Sequence, residues 1–192
     1  KRFNSHLKVS NAPAFNYKET LNFKVNISSN NKDIILIALP YNFMEAERII
    51  KLAVKFGFNN SFRWLIKTHP TTTKESIIRL IPNSLLDHVK FVSLPVTSLF
   101  HETRLLITSA SSVAIEAAVC GVRVAIIGNI SGPTIHRLSG IVDQSLWSIC
   151  YTIEDLDEQI NLETKVQFVN KNRYLNAVTS EGCINMLKFD KS

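Results

Sequence analysis

From Asp33 onward, short apolar runs alternate with longer segments whose apolar residues recur at helical spacing. The first run, Ile34-Ile35-Leu36-Ile37-Ala38-Leu39, is continuously apolar and closed by Pro40. That is the pattern of a parallel strand buried on both faces. Similar runs predict strands over 62–67, 89–94, 104–108, 122–127 and 146–151. Between the first two, Ile49, Ile50, Leu52, Ala53 and Phe56 fall on one helical face, and Gly57 is the stop, which predicts a helix over 43–56. Thr73 caps a predicted helix reaching about Leu80, with Glu75 in its first turn. A short helix or turn is expected over 95–101. Further helices are expected over 111–120, ended by Gly121, and over 153–160 and 171–187. Residues 1–32 are polar and without clear period. They read as a linker or arm carrying one short strand near Phe23-Lys24-Val25, and 33–192 as the folded domain.

Strands that alternate with helices require right-handed crossovers and give a parallel sheet covered on both faces. The expected fold is therefore α/β, a Rossmann-like doubly wound sheet of about six strands. Ligands of such sheets lie beyond the carboxyl ends of the strands. Four loops fall there: Pro40-Tyr41-Asn42, Thr68-His69-Pro70, Ser109 to Ser112, and Gly128 to Pro133.

Bulk composition narrows this only slightly. The 192 residues are 45% hydrophobic and 20% charged, which suits one globular domain with a real core. A net charge of +6 favours anionic partners. Cys120, Cys150 and Cys183 are far apart and form neither a CxxC pair nor a zinc spacing, so they read as reduced, mostly buried thiols. No apolar run approaches the roughly 18 residues of a membrane helix. The chain starts at Lys1, and it reads as an excised piece or a mature fragment. The phosphate-loop pattern GxxxxGK[ST], the dinucleotide pattern GxGxxG and the hydrolase elbow GxSxG are all missing. An NTPase, a dehydrogenase and an α/β-hydrolase are thereby disfavoured. A receiver domain would need acids at the end of the first strand, where there are none. Nucleic-acid binding would need basic and aromatic residues interleaved on one face. Phe62-Arg63-Trp64 is the one such spot, and it reads as strand core.

The chemistry gathers at the loops. Ser111 and Ser112 open a helix directly after a strand, where backbone N–H groups have no intrahelical partner and the helix end is partly positive. Hydroxyls and free amides together make a phosphate seat there, unless Ser111 is a plain N-cap. Glu116, one turn further on, stands alone among Val, Ala, Ile and Cys. A carboxylate there can accept from the hydroxyls of a ribose whose phosphate sits at the helix start. His69, held extended by Pro70, can donate to a phosphate oxygen or assist a leaving group. Lys67 alternates with His69, and both point to one side if the strand continues.

The order Lys67-Thr68-His69-Pro70, then Leu106-Ile107-Thr108-Ser109-Ala110-Ser111-Ser112, then Glu116-Ala117 and Gly121, resembles the carboxyl-terminal, donor-binding half of GT-B glycosyltransferases. The His-Pro pair with a Ser-Ser turn looks most like bacterial surface-polysaccharide enzymes, namely CMP-sialic acid and CMP-Kdo transferases and the teichoic-acid polymerases that use CDP-glycerol. The resemblance spans roughly residues 33–160. It implies that His69 contacts the donor phosphate and assists its departure, and that Ser111 and Ser112 bind the phosphate. Glu116 then takes the ribose, while Lys67, Pro70, Ser109 and Gly128 line the donor site. It implies a nucleotide-sugar donor, CMP-activated by preference, a glycan or glycolipid acceptor in capsule or lipopolysaccharide synthesis, and no resident cofactor, metal or nucleic acid. Asp155-Leu156-Asp157 has the spacing of a metal-holding triplet but reads better as a helix start. The resemblance further implies an amino-terminal partner domain holding the catalytic base, so that this half alone turns over slowly or not at all. It also implies a cytoplasmic location with scope for contact at the inner face of the membrane. Two other readings stay open: a nucleotide-sugar 2-epimerase, against which the glycine-free Ser-Ala-Ser-Ser turn speaks, and a non-catalytic nucleotide-binding module.

Overall fold

A computed structural model describes residue 20 and residues 32–136, 138–139 and 142–162. The strand expected near residues 23–25 and the helix expected over 171–187 lie outside them. Six described strands form one sheet: β1 (Ile34–Ala38), β2 (Arg63–Lys67), β3 (Val89–Phe91), β4 (Thr103–Thr108), β5 (Arg123–Ile127) and β6 (Trp147–Cys150). Their order is β3-β2-β1-β4-β5-β6, and every pairing is parallel. The described helices are α1 (Phe43–Phe56), α2 (Lys74–Ile78), α3 (Ser112–Val119) and α4 (Ile153–Asn161), with 3-10 turns at Asn83–His88, Val96–Leu99 and Gln144–Leu146.

The central strands β1, β4 and β5 are apolar except at their ends because each is covered twice. In β1, Ile35 and Ile37 pack with Ala46, Ile49 and Ile50 of α1 and Leu156 and Ile160 of α4. Ile34, Leu36 and Ala38 point the other way, to Ala114, Ala117 and Ala118 of α3. Consecutive side chains thus serve opposite cores, as the period of two demands. That explains why neither face of these strands carries a polar stripe.

Element ends follow local chemistry. Asn42 caps α1, accepting from Met44 N at 2.9 Å, and Gly57 ends it in the left-handed region at φ 94°. Thr152 and Asp155 close a reciprocal capping box on α4, so the Asp-Leu-Asp triplet is a helix start. The expected helix 73–80 is shorter, Lys74–Ile78, because Leu80 and Ile81 turn instead into tighter three-residue bonds to Ile77 and Ile78 carbonyls.

At the amino edge Arg63 bonds Asp33 at 2.7 Å and Glu102 at 2.5 Å, tying the starts of β1 and β2 to the turn before β4. The Arg63 hydrogen bonds hold the Asp33 carboxyl below its usual range. This exposed network lies at the opposite end of the sheet from the loops singled out above.

Candidate functional site

Strand order reverses direction between β1 and β4. The chain leaves β1 for α1 on one face and leaves β4 for α3 on the other, so a crevice opens between the two loops. In open α/β sheets this crevice is where ligands bind. The structure puts Tyr41 and Asn42 on its β1 side and Ser109 to Ser112 on its β4 side.

The start of α3 differs from the other helix starts. Asn42, Thr73 and Thr152 each accept a first-turn N–H of α1, α2 and α4. Ser111 occupies the same position before α3, extended at φ −105° and ψ 148°, but its hydroxyl makes no cap bond. Its own N–H is held by the Ser109 carbonyl at 2.8 Å. The Ala114 N–H turns back to the Ser111 carbonyl at 3.2 Å, which leaves the Ser112 and Val113 amides and the Ser111 and Ser112 hydroxyls together at the positive end of the helix dipole. Ser112 is exposed and Glu116, one turn on, is half-buried.

His69 reaches the crevice from the β2 side. Its Nδ1 accepts from Thr71 N at 3.3 Å and lies 2.7 Å from Thr71 Oγ1. An Nδ1 that accepts from a backbone amide leaves the proton on Nε2, which is then the donor of the ring. The imidazole meets Tyr41 edge-on, with centroids 6.3 Å apart. Strand β1 lies between β2 and β4, so the His69 loop and the α3 start flank the loop after β1 from its two sides.

Three expected site residues are differently employed. Lys67 does not share a direction with His69, because β2 stops at Lys67. Its ammonium donates to the Ser93 carbonyl at 3.2 Å, beyond β3, while His69 turns toward β1. Ser109 is buried, and its hydroxyl donates to Glu45 Oε2 at 2.6 Å. Gly128 is a packing glycine: a Cβ there would stand 2.2 Å from the Tyr151 ring. Gly128→Ala should push that half-exposed ring outward and cost about 1–2 kcal/mol, as overpacking does. Thermal unfolding checks this, and Gly128→Ala/Tyr151→Ala should regain most of the loss. Pro70 is exposed at the loop tip beside His69.

Sequence reading missed Glu45, Arg48 and Asn129. Asn129 Oδ1 accepts from Arg48 Nη1 at 3.3 Å and from Ser131 N at 3.2 Å, which fixes the loop after β5. Thr134 Oγ1 accepts from Asn129 N at 2.9 Å. An acid in a first helical turn is ordinary dipole chemistry, and no linear spacing announces a bond from Glu45 to a serine 64 residues on.

Burial pushes the Cys150 thiol up to about 12, so it stays protonated and is no nucleophile. Among the described residues, no group of three or more His, Cys, Asp or Glu is placed to hold a metal ion, and no helix is long and apolar enough to cross a membrane.

No family model matches the sequence, and no curated protein matches it. Solved structures do match in shape. The UDP-GlcNAc 2-epimerase of Methanocaldococcus jannaschii is 15% identical with a TM-score of 0.56, over 83% of this chain and 46% of that one. S. aureus MnaA, solved with UDP, is 16% identical with a TM-score of 0.58, over 88% of this chain and 49% of that one. TarM is 15% identical with a TM-score of 0.52, over 94% of this chain and 36% of that one. The chain spans about half or less of each of these structures. At such identities the likeness speaks for the fold, and the fold is a Rossmann-like α/β domain of the kind that makes up half of a GT-B structure.

Proposed function

We propose that this chain is the donor-binding half of a GT-B glycosyltransferase and holds a nucleotide-sugar at the carboxyl edge of its sheet. The observation that carries this reading is the uncapped start of α3 at the point where strand order reverses, with two serines on it. The donor phosphate sits on the α3 amides and the Ser111 and Ser112 hydroxyls. His69 Nε2–H donates to the same phosphate from the β2 side. Negative charge grows on that phosphate as the sugar leaves, and donors already in place lower the barrier. Glu116 accepts from the ribose hydroxyls. The acceptor and the catalytic base belong to an amino-terminal half. The finer reading, from the His-Pro and Ser-Ser pair, is a CMP-activated donor used in bacterial surface-polysaccharide synthesis.

A second reading is a 2-epimerase-like enzyme taking a UDP-sugar. It draws on the epimerase and UDP-bound structures of the same fold. The Ser-Ala-Ser-Ser turn, without glycine, favours the transferase.

Calorimetric titration with CMP, CDP, UDP, GDP and inorganic phosphate tests both. CMP preference supports the first reading, UDP preference the second, and absence of binding by all four nucleotides counts against both. Glu116→Ala should weaken nucleotides about tenfold, the scale of one lost hydrogen bond to a charged group, and leave phosphate unchanged. Equal loss for phosphate would refute the ribose role.

A further inference from the structure

Beside the α3 start lies a small polar cavity of about 190 Å³, between the first turns of α1 and the loops after β4 and β5. Glu45, Arg48, Ser109, Asn129 and Thr134 supply its polar atoms, and Ile135 and Pro133 part of its apolar wall. Its volume is below the roughly 300–1,000 Å³ of pockets that enclose drug-sized ligands. That volume is on the scale of one sugar ring rather than of a nucleoside with its sugar.

Its lining is built. Glu45 Oε2 is anchored by the Ser109 hydroxyl at 2.6 Å, which fixes the carboxylate and leaves its other oxygen to accept. Arg48 stands three residues on, on the same helical face. Its Nη1 is held by Asn129, whereas its Nε–H is buried and finds no hydrogen-bond partner among the described residues. A buried donor without an acceptor is costly unless something supplies one. A fixed carboxylate beside an unmet guanidinium donor is an arrangement that recognises neighbouring hydroxyls, each of which can both donate and accept. Ala110, on the wall of this cavity, is the chain neighbour of Ser111 in the phosphate seat.

We propose that this cavity, through Glu45 and Arg48, holds the hydroxyl-bearing group attached to the donor phosphate and so selects the transferred sugar. The inference rests on the nucleotide-sugar reading above. Glu45 and Arg48 touch the sugar hydroxyls, and Ser109 and Asn129 are positioning residues that hold them.

The test compares bare nucleotides with their conjugates, using CMP against CMP-N-acetylneuraminate and UDP against UDP-GlcNAc, in calorimetric titration of the parent chain, Glu45→Gln and Arg48→Met. The parent should bind at least one conjugate more tightly than its bare nucleotide. Each variant should bind the bare nucleotide as the parent does and lose roughly tenfold for the conjugate, as for a hydrogen bond to a charged group. A parent that binds conjugate and nucleotide equally overturns the sugar cavity while leaving the nucleotide site standing. So do variants that keep the parent's ratio, or that weaken both ligands alike. A parent that binds no bare nucleotide and no conjugate overturns the nucleotide reading itself, and this inference with it. Both substitutions nearly preserve side-chain volume, and the parent comparison decides without them should either fail to fold.

Discussion

Trp64→Ala is expected to lower the unfolding free energy by about 3–5 kcal/mol, the scale of deleting a large buried aromatic. Trp64 is the second residue of β2 and is 1% exposed. Its ring meets Phe58 edge-on at 5.2 Å and Phe56 at 5.6 Å. Its indole N–H donates to the Asn59 carbonyl at 3.0 Å. These contacts hold the turn that leads from α1 into β2. Gly57 ends the helix at φ 94°, and Phe58 follows at φ 44°, a left-handed conformation that an aromatic residue adopts only under constraint. The burial of the Phe58 ring against Trp64 is that constraint. Alanine would leave a cavity, strip the Asn59 carbonyl of its donor and free Phe58 to relax. The relaxation offsets part of the loss, so the lower end of the range is the safer expectation. Against a typical total of about 5–15 kcal/mol, the variant would be marginal. Urea denaturation of the parent, Trp64→Ala and Trp64→Phe checks this. Trp64→Phe, which keeps the ring and loses the N–H, should lose about 1–2 kcal/mol. A loss below about 1.5 kcal/mol for alanine would mean that the α1–β2 turn is held by something other than this aromatic cluster.

The strands were legible in the sequence because burial on both faces writes them as uninterrupted apolar runs. Ile34 to Leu39 and Val122 to Ile127 have no polar residue other than Arg123 to confuse them with a helix. Arg123 fits because it lies at the first position of β5 and sends its guanidinium to Gln159 and the Leu162 carbonyl at the end of α4. Edges were less legible. The run 89–94 predicts six residues of strand, but β3 keeps only Val89–Phe91, since an edge strand needs to match just the stretch of β2 it pairs with. Short 3-10 turns such as Asn83–His88 carry no period and escaped notice.

The site was legible only in part, for a related reason. A helix start with serines, a His-Pro loop and an acid one turn into a helix are local patterns, and local patterns survive in a linear reading. Which hydroxyl remains available does not. Ser109 and Ser111 look equivalent in the sequence, yet the crevice gives Ser109 to Glu45 and leaves Ser111 without a cap bond. Lys67 looked like a second cation beside His69 until the end of β2 turned the two apart.

That distinction sets the largest effect expected on binding. His69→Ala and the pair Ser111→Ala/Ser112→Ala should each weaken nucleotide binding by about 1–3 kcal/mol, the scale of hydrogen bonds to a charged group. Both groups meet the one phosphate, so their effects couple rather than simply add, and the triple variant should lose more than either change alone, about 2 kcal/mol or more. Even the low end, about 30-fold, removes a weak complex from calorimetric detection. Ser109→Ala should behave differently: it frees Glu45 rather than a phosphate donor, and bare nucleotide should bind nearly as in the parent. Lys67→Met should likewise leave bare nucleotide affinity almost unchanged, because its ammonium serves the Ser93 carbonyl. His69→Gln separates charge from geometry. A glutamine amide can donate one neutral hydrogen bond, so partial retention would mark His69 as a neutral Nε2–H donor. Binding by His69→Gln that is as weak as for His69→Ala would instead mean that an amide donor cannot replace the imidazole at the phosphate. Undiminished binding in both His69→Ala and the serine pair would remove the phosphate from this crevice altogether.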